Sequence, residues 1–216
     1  MAATRVLLVD DHALFLEGLR SLLAEVADID VVGEARDGRA ALQLCGELSP
    51  DVVIMDVTMP ELNGIDAARR IRDRSASTRV IALSMHTEPR VVAEMLKAGA
   101  TGYIPKASAP SELLAAIRTV AEGQTYLSPD LDTEKVSAWL EKRGGRGAPA
   151  RPSLSSRERE VVQLLAEGKS TAEIAMLLGV GTSTIETYRR RVLLKLGLRT
   201  LADLVRYAVR EGLTTR

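Results

Sequence analysis

The sequence predicts a doubly wound α/β unit, five parallel strands alternating with helices, followed by a small all-α unit of four helices. Three observations predict it. Short apolar runs alternate with helical periodicity across residues 5–122. The rhythm breaks over 123–152, where Arg143-Gly144-Gly145-Arg146-Gly147-Ala148-Pro149 reads as a flexible basic linker. From Leu154 onward, helix start and stop signals recur every few residues.

Residues 5–9, RVLLV, form the first apolar run, which ends at Asp10-Asp11. Leu16, Leu19, Leu22 and Leu23 then share one helical face. Residues 31–35 read as the second strand and 39–48 as the second helix. The run 52–55, VVIM, holds no polar residue, as expected of a strand covered on both faces. It stops at Asp56. Pro60 and the Asn63-Gly64 pair mark a loop, and a helix follows over about 65–74. Residues 80–84 are the fourth strand, ending on Ser84. The helix over 88–98 has Pro89 in its first turn, where the missing N–H costs nothing. Residues 102–104 make a short fifth strand followed by Pro105-Lys106, and a helix closes this part over about 110–122. Such alternation requires right-handed crossovers and helices on both faces of a parallel sheet. A short amphipathic piece is expected over 131–140. In the all-α part, Ser155 with Glu158 and Ser170 with Glu173 are capping boxes, and Gly168 and Gly179 are helix stops. Helices are expected over about 156–167, 171–178, 184–196 and 200–210.

Composition narrows the function classes. The chain has 216 residues, which suits one or two domains, and its 46% hydrophobic and 27% charged residues are ordinary for a soluble globular protein. Aromatics at only 3% argue against a stacking platform for single-stranded nucleic acid. No apolar run approaches the ~20 residues of a membrane span. The start, MAATRVLLVDD, turns acidic before a signal-peptide core forms, so a cytoplasmic location is expected. The single cysteine, Cys45, excludes internal disulfides and reads as small apolar filler. The net charge of zero hides an asymmetry. Residues 1–150 hold 17 Lys+Arg against 22 Asp+Glu, net −5, and residues 151–216 hold 12 against 7, net +5. The basic C-terminal part suits a polyanion partner.

In a doubly wound sheet the carboxyl ends of the strands share one edge, where ligands gather. That edge would collect Asp10-Asp11, Asp56, Ser84 and, just past the fifth strand, Lys106. Three carboxylates together raise one another's pKa unless a cation sits among them. Oxygen-only ligands with room for water suit Mg²⁺. A carboxylate held against Mg²⁺ can attack a phosphoryl group and form an acyl phosphate. Ser84 could then hydrogen-bond to the new phosphate and Lys106 could pair with it. Taken singly, each residue has a plainer reading: Asp10-Asp11 as a helix N-cap pair, Asp56 as a turn cap, Ser84 as a strand end, Lys106 as a solvated charge. Their occurrence together, in this order on these strand ends, points to a site.

On these residues, 1 to about 125 resembles a response-regulator receiver domain. The match covers Asp10-Asp11, Asp56 within MDVTMP and the NG pair, Ser84, and Lys106 after Ile104-Pro105. The resemblance implies a flavodoxin-like fold with strand order 2-1-3-4-5. It implies Asp56 as phosphoacceptor, with a sensor histidine kinase as donor. Mg²⁺ would be held by Asp11, Asp56 and the backbone carbonyl of Thr58, with Asp10 nearby or acting through water. Ser84 and Tyr103 would be the switch pair, although a tyrosine on a short strand reads by itself as half-buried packing. Met85 follows Ser84, where many receivers carry a small residue, and is expected to narrow access to the phosphate.

The basic part has a helix to match its charge. With Ile185 as zero of a wheel at ~100° per residue, Ile185, Tyr188, Val192 and Leu196 face the core. Ser183, Thr187, Arg190 and Leu194 fall opposite, flanked by Glu186 and Arg191. Such a face fits a major groove, with Arg190 able to read guanine and Thr187 able to meet a base edge. Arg189, Lys195, Arg199 and Lys169 are placed for phosphates, and Thr182 and Thr184 lie at the same helix start. A solvated basic face on a helical bundle is the alternative. Residues 154–200 resemble the LuxR-type helix-turn-helix in the RERE start, the EGKST turn, the EIA…L…V…ST helix and the KLG end. Tyr188 replaces the histidine common there, and Glu186 stands where many members carry lysine. Glu186 would cap back to Ser183 or accept from cytosine.

The two resemblances together are those of the NarL/FixJ type. The expected organisation is a receiver over 1–125, a linker over 126–152 and a DNA-binding domain over 153–216. Phosphorylation of Asp56 would control dimerisation and binding to promoter DNA. Leu201, Leu204, Val205 and Ala208 would supply the contact of a homodimer, and RNA polymerase is a further partner of a factor of this type. A competing reading is a phosphorylation-independent interaction module on a constitutive DNA-binding protein. Asp11, Asp56 and Lys106 argue against it and Met85 for it. A phosphotransfer enzyme with a small-molecule substrate is disfavoured, because no Gly-rich phosphate loop or second catalytic cluster is visible.

Overall fold

A computed structural model describes residues 3–141 and 154–214. The chain divides into two compact units between Arg146 and Gly147. The basic linker expected over 143–152 lies outside the described residues.

The first unit runs β1 (Thr4–Val9), α1 (Ala13–Ala24), β2 (Ile29–Ala35), α2 (Gly38–Leu48), β3 (Val52–Met55), α3 (Gly64–Arg74), β4 (Arg79–Ser84), α4 (Pro89–Ala98), β5 (Gly102–Pro105), α5 (Pro110–Ala121), β6 (Tyr126–Leu127) and α6 (Thr133–Glu141). The sheet is parallel in the order β2-β1-β3-β4-β5-β6. Period-two side chains split its core in two. Val6, Leu8, Val52 and Ile54 pack with α1 and α5, through Leu16, Leu19, Leu23, Leu113 and Ile117. Leu7, Val9, Val53 and Met55 pack on the other face with Leu42, Ile71, Val92 and Met95 from α2, α3 and α4. Cys45 is half-buried against this second core, and burial pushes its thiol up to about 11.

The sixth strand exceeds the five expected. It has two residues, paired Gly102↔Tyr126 and Tyr103↔Leu127, too few to carry an alternation signal. After it, α6 buries Val136 together with Leu131 in the core shared with α4. Residues 126–141, within the stretch expected as linker, are thus packed on the first unit. No described helix is long and apolar enough to cross a membrane.

The second unit is all-helical: α7 (Ser156–Ala166), α8 (Thr171–Leu178), α9 (Thr182–Leu196) and α10 (Leu201–Arg210). Capping boxes start α7 and α8 at Ser155/Glu158 and Ser170/Glu173, and a third starts α10 at Thr200/Asp203. Gly179 ends α8 at φ +63°, a left-handed geometry that glycine adopts without Cβ strain. Val161, Leu164, Ile174, Ile185, Val192, Leu204 and Ala208 form one core. This corrects the dimer expectation. Leu204 and Ala208 are both 0% exposed, one turn apart on the face that α10 packs against its own unit, and no partner can reach them.

Candidate functional site

Strand register builds the first site. Val9 pairs with Met55, Met55 with Ala82, and Ser84 with Pro105. The ladder continues one step: Asp56 N–H donates to Val9 at 2.8 Å and Lys106 N–H to Ser84 at 2.8 Å. Asp10, Asp56, Ser84 and Lys106 are therefore delivered to one edge by backbone pairing. Gly64 lets the start of α3 close over this edge, since a Cβ there would collide with the Asp56 carbonyl. Its N–H donates to Val57 at 2.8 Å, which fixes the loop after the carboxylate.

Lys106 is the hub. Its Nζ lies 2.5 Å from Asp10 Oδ2 and 2.7 Å from Asp56 Oδ2, and the three side chains are 7%, 3% and 6% exposed. The Phe15 ring lies 4.8 Å from the same ammonium. Asp56 Oδ1 accepts from Thr58 N–H at 3.3 Å. Burial pushes the Asp56 carboxyl above its ordinary range. Lys106 pulls it back without cancelling that effect, and Asp10 adds repulsion. For Lys106, burial works against the charge, but the bonds to Asp10 and Asp56 outweigh it and hold the ammonium charged.

Asp10, Asp11, His12 and Asp56 bring ligand atoms within 4.8 Å of one another. This is a clustered acidic pocket whose hard oxygen donors suit a small divalent cation. The hydroxyl of Thr58, two residues after Asp56, is buried and has no hydrogen-bond partner among the described residues. The sequence reading missed His12. Its Nδ1 lies 3.1 Å from Asp10 Oδ1 and 3.0 Å from Asp11 Oδ1. Adjacency to the acidic pair was the only available signal.

Ser84 and Tyr103 meet behind the cluster, and both are 0% exposed. Tyr103 O–H donates to the His86 carbonyl at 2.6 Å, and His86 N–H donates to Ser84 Oγ at 3.1 Å. Burial pushes the Tyr103 phenol up, despite its contact with Ser84. Met85 between them turns outward and is 75% exposed.

In the second unit, α9 turns Ile185 and Val192 inward and half-buries Tyr188 and Leu196. Thr182, Ser183, Glu186, Arg190, Arg191 and Leu194 are exposed, with Thr184, Thr187 and Arg189 half-buried. The helix starts two residues earlier than expected, so Thr182 and Ser183 lie in its first turn. Glu186 does not reach back to Ser183. Its Oε1 accepts from the Thr171 hydroxyl at 3.0 Å, across to α8. Thr187 O–H donates to the Ser183 carbonyl at 2.9 Å. Lys169 sits before α8, where its charge helps hold Glu173 below the usual carboxylate range, after the larger effect of Ser170. Lys195 is paired with Glu158 at 2.8 Å.

The comparisons agree with both halves. Residues 6–118 match the response regulator receiver domain, and residues 152–208 match the bacterial regulatory proteins of the luxR family. The chain is 37% identical over 208 residues to the response regulator UvrY of Escherichia coli, covering 96% of this chain and 94% of that one. It is 39% identical over 209 residues to the probable transcriptional regulatory protein NarL of Mycobacterium tuberculosis, covering 97% and 95%. It is also similar to the structure of RcsB from Salmonella enterica serovar Typhimurium bound to promoter rprA in the presence of phosphomimetic BeF3⁻. There the TM-score is 0.62 at 30% identity, covering 95% of this chain and 98% of that one. An acidic strand-edge pocket with a buried lysine, followed by an exposed basic helix, accords with these matches: the chain belongs to the two-component response regulators that join a receiver to a LuxR-type DNA-binding domain.

Proposed function

We propose that Asp56 is the phosphoacceptor, that a sensor histidine kinase is the donor, and that phosphorylation controls dimerisation and promoter binding. The observation that carries this is Lys106, held by Asp10 and Asp56 at the strand edge beside an acidic pocket. An Asp56 carboxylate oxygen attacks phosphorus, the P–N bond of the phosphohistidine breaks, and the imidazole leaves. Lys106 then pairs with a phosphoryl oxygen and the Ser84 hydroxyl donates to another. Asp10, Asp11, Asp56 and the Thr58 carbonyl would hold Mg²⁺, which supplies charge neutralisation at the phosphoryl group. Movement of Ser84 toward the phosphate would be sensed at Tyr103 through His86, whose N–H donates to Ser84 Oγ and whose carbonyl accepts from the Tyr103 hydroxyl.

On the DNA side, α9 enters the major groove, Arg190 reads a guanine, and Thr187, Ser183 and Glu186 meet base edges. Thr182, Thr184, Lys169, Arg189, Arg191 and Arg199 serve phosphates. Leu201 at 41% exposure, half-buried Val205 and Val209 at 45% form one line on α10, and this line replaces Leu204 and Ala208 as the homodimer contact. RNA polymerase is the partner of the promoter-bound dimer, in the cytoplasm.

The test is the intact mass after incubation with acetyl phosphate and Mg²⁺, wild type beside Asp56→Asn, with dimerisation read in parallel. One added phosphoryl group in the wild type alone, together with dimers, is expected. Labelling of Asp56→Asn would overturn the assignment. Failure of both acetyl phosphate and a purified histidine kinase would favour constitutive DNA binding.

A further inference from the structure

Lys195 differs from the other basic residues of α9. Among the described residues, the side chains of Arg189, Arg190 and Arg191 make no hydrogen bond or ion pair. Lys195 Nζ lies 2.8 Å from Glu158 Oε2. That same oxygen accepts the Ser155 N–H at 2.7 Å. One carboxylate oxygen therefore closes the capping box of α7 and ties down the last turn of α9. Burial works against the charge of Glu158, but Lys195 and Ser155 outweigh it and hold its carboxyl below the usual range.

The preceding residue acts on the other helix. Arg157 Nη2 donates to the Leu178 carbonyl at the end of α8 at 2.6 Å, and its Nη1 donates to Glu160 at 3.0 Å. Glu160 is 0% exposed. Two adjacent residues of α7 thus hold the C-terminal ends of both helices of the helix-turn-helix. Lys195 lies five residues beyond Arg190, about 7.5 Å along the axis at 1.5 Å per residue. A tilt of α9 about a pivot midway between its Ile185 and Val192 anchors moves Arg190 by about a quarter of the shift at Lys195, since the two lie about 2 and 10 Å from that pivot. Directional contacts lose their geometry with shifts of about 0.5 Å.

We propose that Glu158 is a positioning residue for DNA recognition, and that Lys195 is the tether it holds rather than a phosphate contact. This rests on the reading of α9 as the DNA-contacting helix. The two roles for Lys195 predict opposite signs. If Lys195 served phosphate, Glu158 would compete with DNA for it, and Glu158→Gln would tighten binding. If Lys195 is the tether, Glu158→Gln loosens α9 and weakens binding. Glutamine keeps an acceptor for Ser155 N–H, so the cap on α7 survives.

The experiment titrates the full chain against the duplex that the wild type selects from a randomised pool, and against poly(dI-dC), over a salt series, with thermal melts in parallel. Glu158→Gln and Lys195→Gln should each weaken the selected duplex by roughly two- to fivefold, the scale of a partly exposed ion pair. Affinity for poly(dI-dC) and the salt slope should stay unchanged, and the double variant should be no worse than either single one. Tighter binding by Glu158→Gln, or a salt slope reduced by about 0.9 in Lys195→Gln, overturns the proposal. Should Glu158→Gln unfold, the slope of Lys195→Gln decides alone. Arg190→Ala, measured alongside, should weaken the selected duplex. If it changes nothing, the reading of α9 fails and the positioning role with it; if it weakens binding while both glutamine variants match wild type, only the positioning role fails.

Discussion

Replacing Lys106 by methionine keeps most of the side-chain volume and removes the cation between Asp10 and Asp56. The ammonium sits 2.5 and 2.7 Å from the two carboxylates, and all three side chains are at most 7% exposed. Removing one partner of a buried ion pair costs about 3–5 kcal/mol, because the charge left behind stays buried and unpaired. Here the low end applies. Asp10 keeps the His12 N–H at 2.9 Å and Asp56 keeps the Thr58 N–H at 3.3 Å, while Asp11 beside them is 34% exposed and admits water. We expect a loss of about 3 kcal/mol from the first unit. Trp139, the only tryptophan in the chain, lies in α6 on that unit, so its emission during urea unfolding reports this unit selectively. Mg²⁺ should return much of the loss by restoring positive charge to the pocket, and should stabilise the variant more than the wild type. A variant within about 0.5 kcal/mol of wild type, and indifferent to Mg²⁺, would mean that Lys106 does not bridge these carboxylates.

Leu204→Ala should cost about 2–5 kcal/mol of stability in the second unit, whereas Leu201→Ala should leave the melt within about 0.5 kcal/mol and weaken only the dimer; the reverse pattern would return Leu204 to the interface. Glu61 holds φ +64° in the loop after Asp56, so Glu61→Gly should raise stability by up to about 1 kcal/mol in the same urea assay, and a clear loss would show that its side chain matters more than the strain. Asp203 is held down to about 2 by the hydrogen bonds of Thr200 first and Arg206 after. A depressed carboxylate stabilises above its unfolded value of 3.8, and that contribution is lost as pH falls toward 2, so α10 should loosen over this window by circular dichroism. Asp203→Asn should flatten that dependence, and an unchanged profile would remove Asp203 as its source. Arg190→Ala should cost about 1–3 kcal/mol on a selected duplex and relax one base position, whereas equal loss on every duplex would place Arg190 on phosphate.

What the sequence by itself determined is what neighbouring residues settle among themselves. The capping boxes at Ser155 and Ser170 are closed by residues three positions away, and both formed as expected. The apolar runs that stop at Asp10, Asp56 and Ser84 name the strands and their ends, and one rule of parallel sheets then brings those ends together. The inward set of α9, Ile185 and Val192 with Tyr188 and Leu196, followed from helical period alone. Only tertiary structure decided how charges and faces were assigned. Lys195 looks like a phosphate ligand from its own helix, yet its partner Glu158 is 37 residues away. Leu204 and Ala208 look like dimer contacts as readily as core, because periodicity gives a face but not what covers it. The two-residue β6 exists only because β5 offers an edge to pair with. His12 joins the acidic cluster because the end of β1 aims it there. Local patterning is readable because its energies act within a turn or a strand; long-range pairing is not, because either choice satisfies the chain locally and only the packed fold selects between them.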